Sequence, residues 1–588
     1  MKPRPSRLFD LLDLQLAEFP QEVCIATKEQ DTWRNHSTAD VVEAAERLAM
    51  GLMALGVKPG DRVALASGNR SEWCIVDQAV LRMGAISVPI YPTSSVEDYA
   101  YILNHAGARV FFAGNQELYG KAEAAAASVP ALKHIYTFDR LDGLPHWTML
   151  LSRDESLRPL LEQHKAAVRQ GDLATIIYTS GTTGKPKGVM LSHANILSNV
   201  EASAERLPVE RGSRCISFLP LCHIYERMLM YLYQRTGMNI HFVETLDDLG
   251  AKIKEVRPHV FTAVPRLLEK IYESILTKGE ALTGIKRQLF LLSLQVGEQY
   301  DVRGKGPWYA LKLALMRKLV FSKWREALGN EVRCVASGSA ALNQRLCRIY
   351  NAAGVPVMEG YGLTETSPVV SVNDARNNGL RFGSVGKPIS NVQVKIADDG
   401  EILLKGPNVM MGYYNDPEQT AQVLDPDGWL HSGDIGKVDA DGFLFITDRK
   451  KEIFKTSGGK YIAPQAVENL LRSSRFIEQA MVIGENHKFP AALIVPNFTF
   501  LKDYCALKGI PFNNQGQVVK ETQVVARIQQ EVDRINLALG HWEQVKKVAL
   551  LPTDWSIDGG EFTPSLKLRR KPILAKYAAY VDAIYNEA

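Results

Sequence analysis

No run of eighteen or more apolar residues occurs in the 588-residue chain, which argues against a membrane-spanning helix. The seven cysteines (Cys24, Cys74, Cys215, Cys222, Cys334, Cys347 and Cys505) are scattered, odd in number and never spaced Cys-X-X-Cys. That disfavours a zinc site or a disulfide framework and fits a reducing cytoplasm. Charge of neither sign predominates: 69 basic against 65 acidic residues leave +4, too balanced for a nucleic-acid binder. The N-terminal amphipathic segment Leu8 to Phe19 is interrupted by Asp10, Asp13 and Glu18 and lacks the apolar core of a signal peptide. Repeats and low-complexity linkers are also missing.

What is present is a folded composition, 46% hydrophobic and 23% charged, in a chain long enough for two or more domains. Val41, Val42, Ala45, Leu48, Leu52 and Leu55 fall at helical spacing, with Ser37 and Thr38 to cap the start and Gly56 to end it. Short apolar strands are expected near 63–66, 86–90, 110–113, 175–178, 216–219, 240–243, 260–264, 335–336 and 355–358. Helices between them predict layered α/β sheets. From about 384 the pattern changes to β-hairpins around Asp399-Gly400 and Asp441-Gly442. An α+β pattern resumes after Asp448-Arg449-Lys450-Lys451, which puts a domain boundary at about 448.

The most informative segment is Tyr178-Thr-Ser-Gly-Thr-Thr-Gly-Lys-Pro-Lys-Gly188. Glycines let backbone N–H groups turn inward, hydroxyls add hydrogen bonds to oxyanions, and lysines neutralise a polyphosphate. The spacing is not that of a Walker A loop, which needs four residues between its glycines and Ser or Thr after the lysine. Thr179, Ser180, Gly181, Thr182, Thr183, Gly184, Lys185 and Lys187 are therefore candidates for holding an anionic nucleotide.

Four further segments make sense beside this loop. In Glu359-Gly360-Tyr361-Gly362-Leu363-Thr364-Glu365, Tyr361 can stack on adenine, Thr364 can bond an α-phosphate and Glu365 can hold Mg²⁺. In Ser337-Gly338-Ser339-Ala340-Ala341, small side chains let a flat base approach backbone. Asp434, after the turn Ser432-Gly433, can accept two ribose hydroxyls, and the Arg449 guanidinium can reach the same ribose. Each has a plainer reading as a turn, a cap or a surface ion pair; the ordered combination is what favours a nucleotide site.

That ordered set, with the tail Thr563-Pro-Ser-Leu-Lys567, resembles the adenylate-forming acyl-CoA synthetase superfamily over nearly the whole chain. The segments 219–227, 257–270 and 279–330 resemble its long-chain fatty acyl-CoA synthetase branch. The resemblance implies an α/β plus β fold: a large N-terminal domain, residues 1–448, of two α/β subdomains and a β-barrel over about 384–448, and a small mobile α+β lid, residues 449–588. It implies ATP, Mg²⁺ and CoA as the chemical partners of a long-chain fatty acid, activated as acyl-AMP and then transferred to the thiol. Fatty acyl-AMP ligase, transfer to an acyl-carrier protein, and an inactive nucleotide- or lipid-binding pseudoenzyme are the alternatives.

By the same resemblance Lys567 is the lysine on the α-phosphate, with Lys571 a rival because Leu566 stands where shorter-acid members often carry glycine. Lys451 matches the hinge, Thr182 and Glu365 the metal site, Gly458 and Gly459 a contact with pantetheine, and His223 the border of the acyl carboxylate. The neighbours Tyr225, Glu226 and Arg227 do not support a tryptophan gate. Apolar segments at 289–294 and 308–324 interleave with Lys305, Lys312, Arg317, Lys318, Lys323 and Arg325, so peripheral contact with the inner face of an anionic membrane joins the expectations for a cytoplasmic monomer or homodimer.

Overall fold

The computed structural model describes all residues except 1–4, 30, 180–184, 246–248, 377–378, 557–558, 564–567 and 587–588. The chain divides into a larger unit (1–395, 403–431 and 439–444) and a smaller one (396–402, 432–438 and 445–588).

Two sheets build the larger unit. The central strands of the first, Arg214–Ser217, Val260–Ala263, Cys334–Ser337 and the start of Val357–Gly362, pair in parallel. The strand Val260–Ala263 is apolar at three of four positions and buried throughout, as expected when helices cover both faces. At the end of Val357–Gly362 the pairing turns antiparallel, with Gly360 opposite Val372 and Tyr361 opposite Ser371. In the second sheet the strands Arg62–Ala66, Ile86–Pro89 and Ala108–Ala113 run parallel. Leu173–Thr179 joins them alongside Ile86–Pro89 and then folds back antiparallel on Lys187–Ser192. In sequence, the glycine-rich segment connects these two strands.

Local chemistry explains the boundaries. The expected helix forms over Thr38–Ala54, where Ser37 and Asp40 make a reciprocal capping box, and Gly56 follows at φ +81°. Its apolar stripe, Val41, Val42, Ala45, Leu48 and Leu52, is buried. A second capping box, Ser192 with Asn195, starts the helix His193–Ala204 immediately after the hairpin. The hairpin's second arm is thus fixed at both ends. All seven cysteines are buried free thiols.

The stretch expected as a β-barrel contains the strands Gln393–Ile396, Glu401–Lys405 and Leu430–Val438. The smaller unit has its own core. Its sheet pairs Ile477–Ile483 antiparallel with Ala491–Pro496, which runs parallel to Lys547–Leu550. Helices Pro464–Leu471 and Thr522–Asn536 pack their Val467, Leu471, Val524, Ile528 and Val532 into it. No described helix is long and apolar enough to cross a membrane.

Candidate active site

In the larger unit the hairpin register places Thr179 opposite Lys187 and Tyr178 opposite Gly188. Ser180, Gly181, Thr182, Thr183 and Gly184 lie outside the described residues; Lys185 and Lys187 are placed at the hairpin's return. The short strand Gly412–Tyr413 pairs with the outer edge of this hairpin, Tyr413 opposite Val189. Lys187 Nζ consequently stands 5.0 Å from the centroid of the Tyr413 ring. Lys185 Nζ stands 5.6 Å from the Tyr101 ring. A cleft of about 450 Å³ is lined by Lys185, Lys187, Tyr101, His105, Tyr413 and Asp416, among others. His105 shares a 2.8 Å hydrogen bond with the Tyr178 hydroxyl, which ties the hairpin's base to the helix Val96–Ala106.

Tyr413 also reaches a carboxylate. Its hydroxyl donates to Glu365 Oε1 at 2.9 Å. Burial, with the Glu365 charge beside it, pushes the Tyr413 phenol far above its usual range, so it is a proton donor at any working pH. Glu365 sits in the one-turn helix Thr364–Thr366, and its carbonyl accepts from Met410 N at 2.8 Å. Two asparagines pin that turn. Asn408 Nδ2 donates to Thr366 O at 2.8 Å, and Asn199 Nδ2 donates to Val369 O at 2.7 Å. Thr364 and Glu365 are half-buried at the end of the strand that carries Tyr361. A Cβ on Gly362 would lie 1.9 Å from Pro368 O, so only glycine permits this approach of strand and turn.

Glu359 lies deeper on the same strand. It is buried, receives Leu342 N at 3.3 Å on Oε1, and has no hydrogen-bond partner for Oε2 among the described residues. Burial raises its carboxyl to about 8. Gly338 packs against the Tyr225 ring, which a Cβ there would meet at 3.3 Å, whereas Ser339, at φ +70°, and Ala340 are exposed. His223 caps the helix Ile224–Thr236, its Nδ1 accepting from Tyr225 N at 3.1 Å. Its neighbours are structural: Arg227 is wholly buried against Asp77 and Thr175, and Thr262 donates to Glu226 at 2.6 Å.

In the smaller unit Asp434 is 3% exposed and pairs with Arg449 Nε at 3.2 Å. Gly433, at φ +72°, forms the turn before it and donates to Glu401 Oε1 at 2.9 Å. Lys450 closes the arrangement, its Nζ 2.7 Å from Glu401 and 2.6 Å from Asp399. Asp448 is buried, accepts Arg449 N at 2.6 Å, and is raised by burial to about 7. Lys451 is exposed in the turn that follows. Gly458 and Gly459 form the exposed turn between the strands Phe454–Lys455 and Tyr461–Ile462, Gly459 at φ +79° and Gly458 with only Thr456 Oγ1, at 3.9 Å, near its Cβ position. Lys567 lies outside the described residues. Its described flanks Phe562 and Leu568 form an antiparallel bridge, and Arg570 is half-buried, with Nε 3.2 Å from Glu452 and Nη1 donating to Val482 O at 3.0 Å. The rival Lys571 is exposed.

Among the described residues no group of three or more His, Cys, Asp or Glu side chains could hold a metal ion. A divalent ion at Glu365 has one protein carboxylate and must complete its shell with phosphate oxygens and water, the donor set that Mg²⁺ favours. The donor chemistry at Glu365 therefore fits a nucleotide-borne Mg²⁺. Sequence reasoning missed Tyr413, Asn199 and Asn408. Only Tyr413 left a signal, an aromatic pair after Gly412 ahead of the turn Asn415-Asp416-Pro417.

The chain belongs to the AMP-binding enzyme family, which matches residues 12–414, and that family's C-terminal domain matches residues 451–588. Its relatives include the long-chain-fatty-acid–CoA ligase FadD15 of Mycobacterium tuberculosis, 36% identical over 94% of this chain and 93% of that protein. The peroxisomal long chain acyl-CoA synthetase 7 of Arabidopsis thaliana is 34% identical over 95% of this chain and 82% of its own length. The fold is that of ATP-bound MatB from Rhodopseudomonas palustris, with TM-score 0.70, 22% identity and coverage of 98% and 99% of the two chains. The adenylation domain of a carboxylate reductase from Mycobacterium chelonae aligns with TM-score 0.76 and 20% identity, covering all of this chain and 92% of that one.

Proposed function

We propose that the protein is an ATP-dependent long-chain fatty acid:CoA ligase that works through an acyl-AMP intermediate. The observation that carries this reading is the lysine-bearing hairpin beside the Tyr413–Glu365 pair, in a chain that matches long-chain ligases over nearly its whole length.

A fatty carboxylate oxygen attacks the α-phosphorus of ATP while the bond to the β-phosphate oxygen breaks and pyrophosphate leaves with the electron pair. An anionic nucleophile must approach a polyanion, so cationic and N–H groups have to offset the repulsion. Residues 179–187 hold the β- and γ-phosphates, with Lys185 and Lys187 supplying charge. Thr364 bonds the α-phosphate, and Lys567 meets the charge that develops on it. Glu365, with Thr182, holds Mg²⁺, whose contribution when bound is to neutralise and orient the phosphate oxygens. Tyr361, with the backbone of 338–340 and 359–362, takes the adenine; Asp434 and Arg449 take the ribose.

In the second half the CoA thiol gives up its proton to solvent, the thiolate sulfur attacks the acyl carbonyl carbon, and the bond from that carbon to the AMP oxygen breaks, AMP leaving with the electron pair. The lid, residues 449–588, turns about Lys451 to bring Gly458 and Gly459 against pantetheine and to keep water out. His223 borders the acyl carboxylate. The reading assigns the enzyme to the cytoplasm as a monomer or homodimer.

Mass spectrometry of products from purified protein, ATP, Mg²⁺ and fatty acids from C8 to C20, with and without CoA, tests this directly. Acyl-CoA with AMP is the expected result. Acyl-AMP accumulating despite CoA would replace it with an acyl-AMP ligase, and no product with any acid would replace it with a pseudoenzyme.

A further inference from the structure

Residues 305–325 carry six basic side chains and no acidic one. The structure divides them by task. Arg317 donates to Ala352 O and Arg325 to Ala353 O, each at 2.8 Å, and Lys323 pairs with Glu326 at 2.8 Å. Lys305, Lys312 and Lys318 are exposed and make no ion pair among the described residues.

Between these lysines runs the helix Pro307–Leu319, which buries Leu313 and Met316. The Tyr309 hydroxyl donates to Val296 O at 2.8 Å and fastens it to the helix Gly284–Glu298. Its outer side is apolar: Trp308 is 78% exposed, Leu311 62%, Leu315 50% and Leu319 48%. Positions 308, 311, 315 and 319 are three or four residues apart and form one stripe on a helix. Scattered exposed leucines need no explanation, but a continuous stripe headed by a tryptophan marks a surface that something covers.

The flanking charge selects what covers it. A second copy docked on a two-fold axis would bring Lys305, Lys312 and Lys318 toward their own equivalents, which is unfavourable. A tryptophan heading a row of leucines, with lysines whose stems can lie along apolar surface and whose ammonium groups stay in water, matches the interface of an anionic bilayer. We propose that this helix lies in the plane of an anionic membrane surface, with Trp308, Leu311, Leu315 and Leu319 at the acyl–headgroup boundary and the three lysines at the level of the lipid phosphates. This goes beyond the ligase reading, on which only the turnover control in the test rests.

The test is co-sedimentation of the full-length protein with vesicles of phosphatidylcholine alone or mixed with phosphatidylglycerol, at low and high salt. Wild type is expected to bind the mixed vesicles, to lose binding as salt rises, and to bind phosphatidylcholine weakly. Two surface variants separate the contributions: Trp308→Ser with Leu311→Ser and Leu315→Ser, and Lys312→Glu with Lys318→Glu. Each should weaken binding by about tenfold or more, the charge reversal removing roughly a factor of five or more per lysine. Both should leave turnover of a freely soluble C8 acid unchanged, which separates lost membrane contact from lost activity or folding. Absence of wild-type binding to the anionic vesicles, or equal binding by both variants, would overturn the proposal. So would gel filtration in which the serine variant converts a dimer to a monomer while its lipid binding is unchanged, since the stripe would then be a subunit interface.

Discussion

The Tyr413 hydroxyl donates to Glu365 Oε1 at 2.9 Å while the face of the same ring lies 5.0 Å from Lys187 Nζ. One side chain thus touches both the hairpin's cation and the carboxylate proposed to hold the metal. Tyr413→Phe retains the ring and removes only the donor. A hydrogen bond to a charged acceptor contributes roughly 1.5–3 kcal/mol, so adenylation should slow by about ten- to a hundredfold if Glu365 loses its orientation. The check is ATP–pyrophosphate exchange across a Mg²⁺ titration, in which the variant should need more Mg²⁺ for half-maximal rate. An unchanged Mg²⁺ dependence would remove Tyr413 from any positioning role.

Lys567 is assigned to charge that develops on the α-phosphate in the transition state, so its loss should affect rate far more than nucleotide binding. Lys567→Ala is expected to lower adenylation by at least about a hundredfold, the size of effect seen when one transition-state donor is removed, with ATP affinity within a few fold of wild type. Lys571→Ala, at an exposed position four residues on, is expected to change neither. Equilibrium ATP binding and single-turnover acyl-AMP formation measured on both variants separate the two lysines. Reversed behaviour would exchange their roles.

Glu359 gives a pH signature. Its carboxyl rises from the usual 4.5 to about 8 because burial disfavours the charged form. Between those values the native protein holds a proton that the unfolded chain has released. Stability present below about pH 4.5 is therefore lost as pH climbs toward 8, at up to about 1.4 kcal/mol per pH unit from this group alone. Glu359→Gln mimics the protonated form and removes that slope. In urea unfolding the variant should match wild type near pH 5 and exceed it increasingly up to pH 8; parallel curves would mean that Glu359 is ionised in the native state.

Much of this is legible in the sequence. The strand expected over 260–264 is Val260–Ala263, and those expected at 175–178 and 335–336 are the cores of Leu173–Thr179 and Cys334–Ser337, because continuous β-branched and apolar runs between turn residues leave little choice. The hairpin strands Ile25–Glu29 and Thr32–His36 were not read: the second is Thr-Trp-Arg-Asn-His, with no buried position, and gives no apolar alternation. The strand Lys187–Ser192 was hidden because its first two residues belong to the glycine-lysine motif that reads as loop. At the site, residues adjacent in sequence to a motif were visible and residues brought to it by folding were not. Tyr413 lies 48 positions from Glu365, and Glu401 reaches Lys450 across 49. Nothing local in Glu401 distinguishes it from a surface glutamate, although the structure makes it the acceptor that fixes both Gly433 and Lys450.

That fixed turn sharpens what Asp434 should do. Asp434 is nearly buried, its backbone N accepts no new freedom because it donates to Ser432 Oγ at 3.1 Å, and its carboxylate is aligned by Arg449 at 3.2 Å. The Glu401–Lys450 contact and the Gly433 N–H to Glu401 bond hold the turn whether or not Asp434 is charged. Asp434→Asn should therefore fold normally while losing the charged acceptor proposed for the ribose hydroxyls. Ribose does not react, so the contact is equal in ground and transition states and its loss should appear in KM for ATP with kcat largely kept. Loss of hydrogen bonds to a charged acceptor predicts a KM about 10- to 100-fold higher. 2′-Deoxy-ATP gives the control: wild type should discriminate against it and the variant much less, because the missing hydroxyl then has no strong partner to lose. If the variant keeps the wild-type preference for ATP over 2′-deoxy-ATP, Asp434 does not contact the ribose, and its pairing with Arg449 is structural.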